Sequence, residues 1–316
     1  MSNSNLQRVE HELFLRSFLA LSPEPKVMQQ LRPLMHDAEF RPGEVIYRAG
    51  EPSSHAFFIV NGTARLTAPG ATDWEFGSES VIGILDGLLE RPYTRTAQAT
   101  SRCRLISLAM SDYFDVLEDN FEYARRMIVF AAARHNEMAV TYTPDSVFAT
   151  RDPTTPQLPE ALGAGALNTI ERLLALRATR FVQRAPIQAL ASLAQLSERQ
   201  TFARGSTLFR IGDPAPDLHV LVAGSVRVHR PSPAVEASFS PVRLLAGAAA
   251  LGYEEHYYEA IAETDVTTLR IAKEDLFDVA EDHFGLARAL FAYSSLERER
   301  VMDLRQVRAP KAAVSE

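Results

Sequence analysis

A chain of 316 residues, 46% hydrophobic and 23% charged, has the make-up of an ordinary globular protein with room for about two domains, each able to bury a core. A formal net charge of −7 argues against a broad nucleic-acid surface, which needs clustered lysine and arginine. The single cysteine, Cys103, excludes a disulfide framework and a multi-thiolate metal or iron–sulfur centre, and it fits a reducing, cytoplasmic compartment.

The N-terminal MSNSNLQRVEHE has no apolar signal region, and no run approaches about 18 consecutive apolar residues, so no membrane segment is expected. Residues 9–21 (VEHELFLRSFLAL) carry Leu13, Phe14, Phe18 and Leu21 at helical spacing, and a second short helix is predicted over Lys26–Met35. From 40 to 66, short β-branched and aromatic runs are cut by Gly43, Gly50, Pro52 and Gly62, the pattern of an all-β barrel or sandwich. The stretch Gly83–Ala99 opens on a glycine, carries a helix-like run Ile84–Leu89, turns at Pro92 and ends in a strand, Thr94–Ala99. A glycine feeding a helix N-terminus is a ready anion site, and the segment is either a phosphate cradle completed by Arg91 and Arg95 or a turn and helix lid over a β-barrel that binds nothing. A strand at Arg104–Leu108 and a long helix over Asp112–Ala139 follow.

The pattern then repeats. Phe40, Gly43, Arg48, Gly50, Pro52, Val60 and Gly62 recur 162 positions later as Phe202, Gly205, Arg210, Gly212, Pro214, Val222 and Gly224. FDVLEDNFEYAR (114–125) recurs at an offset of 163 as FDVAEDHFGLAR (277–288), identical at eight of twelve positions, which marks a duplicated domain. The copies span 1–140 and 167–316, and residues 141–166, with four prolines, read as the linker. Lead-in helices at Leu167–Arg180 and Pro186–Leu196 and a closing helix over Glu274–Arg305 are expected in the second copy.

Lead-in helices, a glycine-punctuated β-domain, a glycine-opened helix and a closing helix, in that order and twice over, resemble the cyclic-nucleotide-binding domain family. The most specific pieces are PGEVIYRAGE (42–51) with FIVNGTARL (58–66), and RGSTLFRIGD (204–213) with VLVAGSVRV (220–228). The resemblance implies an α+β fold, mainly β with flanking helices: two tandem β-jelly-roll barrels, each with lead-in helices and a C-terminal closing helix. It also makes each glycine-opened helix a phosphate-binding cassette.

In that family the cassette runs Gly-Glu-x-Ala-Leu, with an arginine nine residues after the glutamate. The glutamate accepts from the ribose 2′-hydroxyl and the arginine pairs with the cyclic phosphate. Here Gly83 matches, but Ile84 stands for the glutamate and Tyr93 for the arginine. Aligning Gly247 with Gly83 puts Ala248 at the glutamate and Tyr257 at the arginine of the second copy, with Glu254, Glu255 and Glu259 around it. Removing one partner of a buried ion pair costs about 3–5 kcal/mol. That weakens binding by roughly a hundred- to several-thousand-fold. Cyclic nucleotide binding is therefore expected to be weak or lost, at least in the second copy. Arg95, sharing a strand face with Tyr93 and assisted by Thr96, is either a substitute cation for cyclic AMP or cyclic GMP or an exposed strand residue. Tyr93 and Tyr257 either stack on a base or plug the pocket.

IQALASLAQLSERQTFAR (187–204) has a helix-turn-helix look, but the repeat register makes it the lead-in to a β-domain, so nucleic-acid binding is not expected. There is no GxxxxGK[ST], GxSxG or GxGxxG, no histidine at metal-ligand spacing, and no Arg-Arg-x-Ser/Ala inhibitor segment ahead of the first copy. No catalytic residue, metal or cofactor is assigned. The expectation is a non-enzymatic regulatory protein working through a protein partner. The apolar band Met127, Ile128, Phe130, Ala131, Ala132 is either a homodimer seam or internal packing. The alternatives are a scaffold with permanently closed pockets, or a first-domain sensor using Arg95.

Overall fold

The computed structural model describes residues 24–142, 167–231, 234–245, 247–252 and 254–308. The amphipathic segment 9–21, nearly all of the linker and the tail beyond Arg308 lie outside the described residues. The chain forms two compact units, one running to Met127 and taking in the chain from Met302, the other Ile128–Val301.

In the first unit, α1 (Pro25–Leu31) and a 3-10 turn (Arg32–Leu34) lead into β1 (Met35–Phe40). The predicted helix over Lys26–Met35 is cut short because Pro33 has no N–H to continue it. β2 (Val45–Tyr47), β3 (His55–Asn61), β4 (Ala64–Thr67), β5 (Trp74–Phe76) and β6 (Val81–Ile82) follow. The short α2 (Ile84–Leu88) separates them from β7 (Thr96–Ala99) and β8 (Cys103–Ala109). The closing segment is two helices rather than one, α3 (Met110–Glu118) and α4 (Phe121–Tyr142). Asn120 sits at the break, its amide donating to Val116 O (2.7 Å) and to the Gln30 side chain of α1 (2.6 Å).

The strands form two antiparallel sheets of four, β1-β8-β3-β6 and β2-β7-β4-β5. The expected closed barrel is thus an eight-stranded sandwich of two sheets. One core joins them: Tyr47, Leu66, Trp74 and Ala97 from one sheet meet Ile59, Ile82 and Leu105 from the other. Alternation fixes which side chains point inward, as in β4, where Ala64 and Leu66 are buried and Arg65 and Thr67 exposed.

The second unit repeats this plan. α5 (Thr169–Arg177) and α6 (Ile187–Leu196) precede β9 (Glu198–Phe202), β10 (Thr207–Phe209), β11 (Asp217–Ala223), β12 (Val226–Pro231), β13 (Ala234–Phe239) and β14 (Arg243–Leu245). Then come α7 (Gly247–Gly252), β15 (Glu259–Ala262), β16 (Val266–Ala272), α8 (Lys273–Asp282) and α9 (Phe284–Arg308). The sheet orders, β14-β11-β16-β9 and β10-β15-β12-β13, are those of the first unit strand for strand. Strand β9 occupies the place where a helix-turn-helix would need its second helix. Ile128 and Ala132 of the apolar band are buried within the chain.

Gly224 turns β11 into β12 at φ +86°, and a Cβ there would stand 2.2 Å from the Asp265 carbonyl oxygen. Gly205 has φ +83° with nothing within 4 Å. Gly205→Ala should therefore lose only about 1 kcal/mol of unfolding free energy, for the left-handed backbone. Gly224→Ala should lose at least about twice that, because a backbone carbonyl cannot move aside. Urea denaturation of the two variants checks this; equal losses would refute the steric account.

Candidate functional site

The Arg-x-Gly-acid motif builds the floor of each site. Glu51 accepts from Arg48 N (2.9 Å), and Asp213 likewise caps Arg210 N (2.7 Å). These turns hold the cassette exit by paired backbone bonds. Gly50 N donates to Tyr93 O (2.8 Å) and Tyr93 N to Glu51 O (2.9 Å). In the second domain Gly212 N donates to His256 O (2.8 Å) and His256 N to Asp213 O (2.9 Å).

This register corrects the sequence alignment of the second cassette. His256, not Tyr257, is the counterpart of Tyr93. β6 and β14 agree, since Ile82 pairs with Phe57 while Leu245 pairs with His219. Gly247 therefore takes the place of Ile84, Ala248 the next position, and Tyr257 that of Thr94. Matching glycine to glycine demands an offset of 164, whereas the strands on both sides run at 163.

In the first domain Gly83 caps α2 at φ +80°, and a Cβ there would meet His55 O at 2.9 Å and the Tyr93 ring at 3.2 Å. Tyr93 is only 4% exposed. Its ring stacks on Tyr47 (centroids 3.9 Å apart, 19° between planes) and its hydroxyl donates to His55 O (2.7 Å) while accepting from His55 N (3.2 Å). Burial, foremost, raises the phenol pKa of Tyr93; its bond to His55 opposes that, and the Asp86 and Glu51 charges add to it. Burial likewise drives the Tyr47 phenol pKa far up, with Tyr93 and Asp86 adding to the effect. Ile84 is half-buried at the start of α2.

The predicted phosphate cradle is not assembled. Arg91 Nε is 2.7 Å from Asp86 Oδ1, and the second Asp86 oxygen accepts from Thr94 N (3.0 Å), so a buried carboxylate ties the cassette loop to itself. Arg95 is not an exposed strand residue. It precedes β7, is buried, lies 3.9 Å over the Trp74 ring and donates to Thr72 O (2.7 Å). Thr96 accepts from Ala49 N (3.1 Å), a bond that holds the loop after β2. A Cβ on Gly87 would stand 2.7 Å from Met110 Cγ, so α2 rests directly on the first closing helix.

In the second domain the His256 ring stacks on Phe209 (3.8 Å, 10°) just as Tyr93 does on Tyr47. His219, the counterpart of Phe57, lies 6.3 Å from the Phe209 ring with Nδ1 3.5 Å from Thr268 Oγ1. Tyr257 packs edge-on against Tyr258 (5.2 Å), and the Arg230 guanidinium lies 5.8 Å from the Tyr257 ring. Glu254 and Glu255 are exposed. Sequence reasoning missed Asp86, His256 and Arg230. Asp86 is legible as the lone acid inside the cassette helix, and Arg230 as an arginine on the inward row Val226-x-Val228-x-Arg230.

The family model described as "Cyclic nucleotide-binding domain" matches residues 38–120 and 199–283, one stretch in each unit. The chain belongs to the cyclic nucleotide-binding domain family, twice over. It is 31% identical over 87 residues to the potassium/sodium hyperpolarization-activated cyclic nucleotide-gated channel 3 of Homo sapiens and of Mus musculus. That match takes in 28% of this chain and 11% of the channel's length. Among solved structures, the chain is similar to the regulatory domain of Toxoplasma gondii PKA with cAMP (14% identity, 95% of this chain and 98% of that one, TM-score 0.35). It is also similar to the regulatory subunit of a cAMP-independent protein kinase A from Trypanosoma cruzi bound to guanosine (15% identity, 86% and 84%, TM-score 0.34). No helix among the described residues is long and apolar enough to cross a membrane.

Proposed function

We propose that the chain is a non-catalytic regulatory protein of the tandem cyclic-nucleotide-binding type that acts through a protein partner, with cyclic nucleotide binding weak or lost, at least in the second domain. The observation that supports this reading is the burial of Tyr93, the residue at the spacing of the family's arginine, against Gly83 and Tyr47. That cassette buries two charged groups, the Asp86 carboxylate, matched to Arg91, and the Arg95 guanidinium, which lies over Trp74 and donates to Thr72 O. In the second domain an imidazole, its pKa lowered chiefly by burial, holds the arginine's place and is neutral at pH 7. The packing of α2 on Met110 supports an output through the closing helices, because a shift of the cassette would be felt by α3. The sealed Tyr47–Tyr93 stack also favours a second reading, a scaffold whose pockets stay shut.

The thermal midpoint in millimolar cyclic AMP or cyclic GMP tests the proposal, since a ligand at 100 times its Kd adds about 2.7 kcal/mol. No shift is the expected result. A clear shift abolished by Arg95→Ala would instead establish a live first site and overturn the reading of that cassette.

A further inference from the structure

The two cassettes are held in different ways. In the first, Asp86 of α2 accepts from Arg91 Nε (2.7 Å) and from Thr94 N (3.0 Å), a clamp that closes the loop on itself. At the offset of 163 set by the flanking strands, Ala249 and Glu254 stand at the places of Asp86 and Arg91, so the second cassette has no such clamp. Its helix α7, GAAALG, is six residues long and carries one side chain larger than a methyl group, Leu251, which is buried together with Ala250. A helix this short, with glycine at both ends, has little stability of its own and depends on what packs against it.

Helix α4 packs against it. A Cβ on Gly252 would stand 2.7 Å from both Ala132 C and Ala133 Cα and would also strike Ala133 N, so the end of α7 lies flush on the backbone of α4. These residues all belong to the second unit, which takes in α4 from Ile128 onward. Ile128 and Ala132, one turn apart on α4, are both buried. Gly252 is helical and its φ is not left-handed, so space and not backbone conformation selects glycine there. The corresponding residue of the first cassette is Leu89, itself buried. The cassette with an internal clamp carries leucine at this position, and the cassette without one carries the glycine that admits a second helix.

We propose that the part of α4 beyond Ile128 is a strap that fixes the second cassette from outside, in place of the Asp86 clamp by which the first cassette fixes itself. α7 then shifts only when α4 gives way, and loosening of α4 frees α7. The strap acts whether or not either domain binds a cyclic nucleotide, and amide exchange reads it without any ligand.

Hydrogen–deuterium exchange of the full chain, followed by mass spectrometry on peptides covering 128–142, 247–252 and 84–93, tests the strap. Alanine is a better helix former than glycine, so Gly252→Ala would slow exchange of 247–252 if α7 stood alone. With the strap in place the added methyl group pushes the two helices apart, because a backbone cannot move aside as a flexible side chain can. Both 128–142 and 247–252 should then exchange about 10-fold faster, while 84–93 in the first cassette keeps its rates. Ala131→Gly weakens α4 without adding an atom and should speed both segments by about 4-fold. This milder variant keeps the test decisive should Gly252→Ala fold poorly. Unchanged or slower exchange of either segment in Gly252→Ala, faster exchange of 128–142 alone in Ala131→Gly, or an equal rise in 84–93 would overturn the proposal.

Discussion

Tyr93→Ala is expected to lower the unfolding free energy of the first domain by about 3–5 kcal/mol, the range for truncating a fully buried aromatic side chain. Three contacts vanish together. The face-to-face stack on Tyr47 goes, the ring no longer fills the space against Gly83, and both backbone groups of His55 lose their shared phenol. Tyr93→Phe separates these contributions. It keeps the stack and the filling but removes the hydroxyl, and should cost about 1–2 kcal/mol for the unmet backbone groups. Urea unfolding followed by Trp74 emission reads both variants, since that indole belongs to the same core. If Tyr93→Ala cost no more than Tyr93→Phe, the ring would not be holding the cassette shut, and the proposed sealing of the first pocket would fall with it.

The duplicated architecture was legible in the sequence because it is written in turns. Gly43, Gly50 and Gly62, and their partners 162 residues on, mark the corners of both sandwiches, and corners fix strand order. The expected loss of the cassette arginine rests on a residue type at a spacing alone. The direction in which Arg95 points was not legible. Alternation within a strand put it beside Tyr93, but β7 begins only at Thr96, and the indole of Trp74, more than twenty residues earlier, draws the guanidinium away. Nothing local announces a cation–aromatic contact between β5 and the cassette exit. The one-residue slip in the second cassette has a similar origin. Gly247 is an eye-catching match to Gly83, yet ladder pairing sets register, and Leu245 opposite His219 leaves Gly247 one position late. The broken closing helices were missed because Asn120 and His283 carry no proline or glycine signal. Asn120 breaks its helix by bonding sideways to Gln30, a partner ninety residues away.

The second domain should lose stability on mild acidification in a way the first does not. Burial, the main cause, holds the His219 pKa down to about 4; the Asp217 charge opposes this, and His256 and Arg270 reinforce it. In the folded protein His219 thus stays neutral, while in the unfolded chain it takes up a proton as the pH falls through about 6.5. The contribution is fully present above that value and is lost progressively as the pH drops toward 4, below which both states are protonated. By pH 5 the loss amounts to about 2 kcal/mol. His256, also held low by burial against the pull of Asp213 and Asp217, adds in the same direction. His219→Phe, which installs the residue the first domain carries at Phe57, removes the titration without opening a cavity and should flatten the profile. Unfolding followed by far-UV circular dichroism reports on both domains, whereas Trp74 emission reports on the first alone. A second transition that moves to lower urea between pH 7.5 and pH 5, and moves far less in His219→Phe, is the expected outcome. An equal shift in the two proteins would mean that the buried imidazole is not what couples this domain to protons.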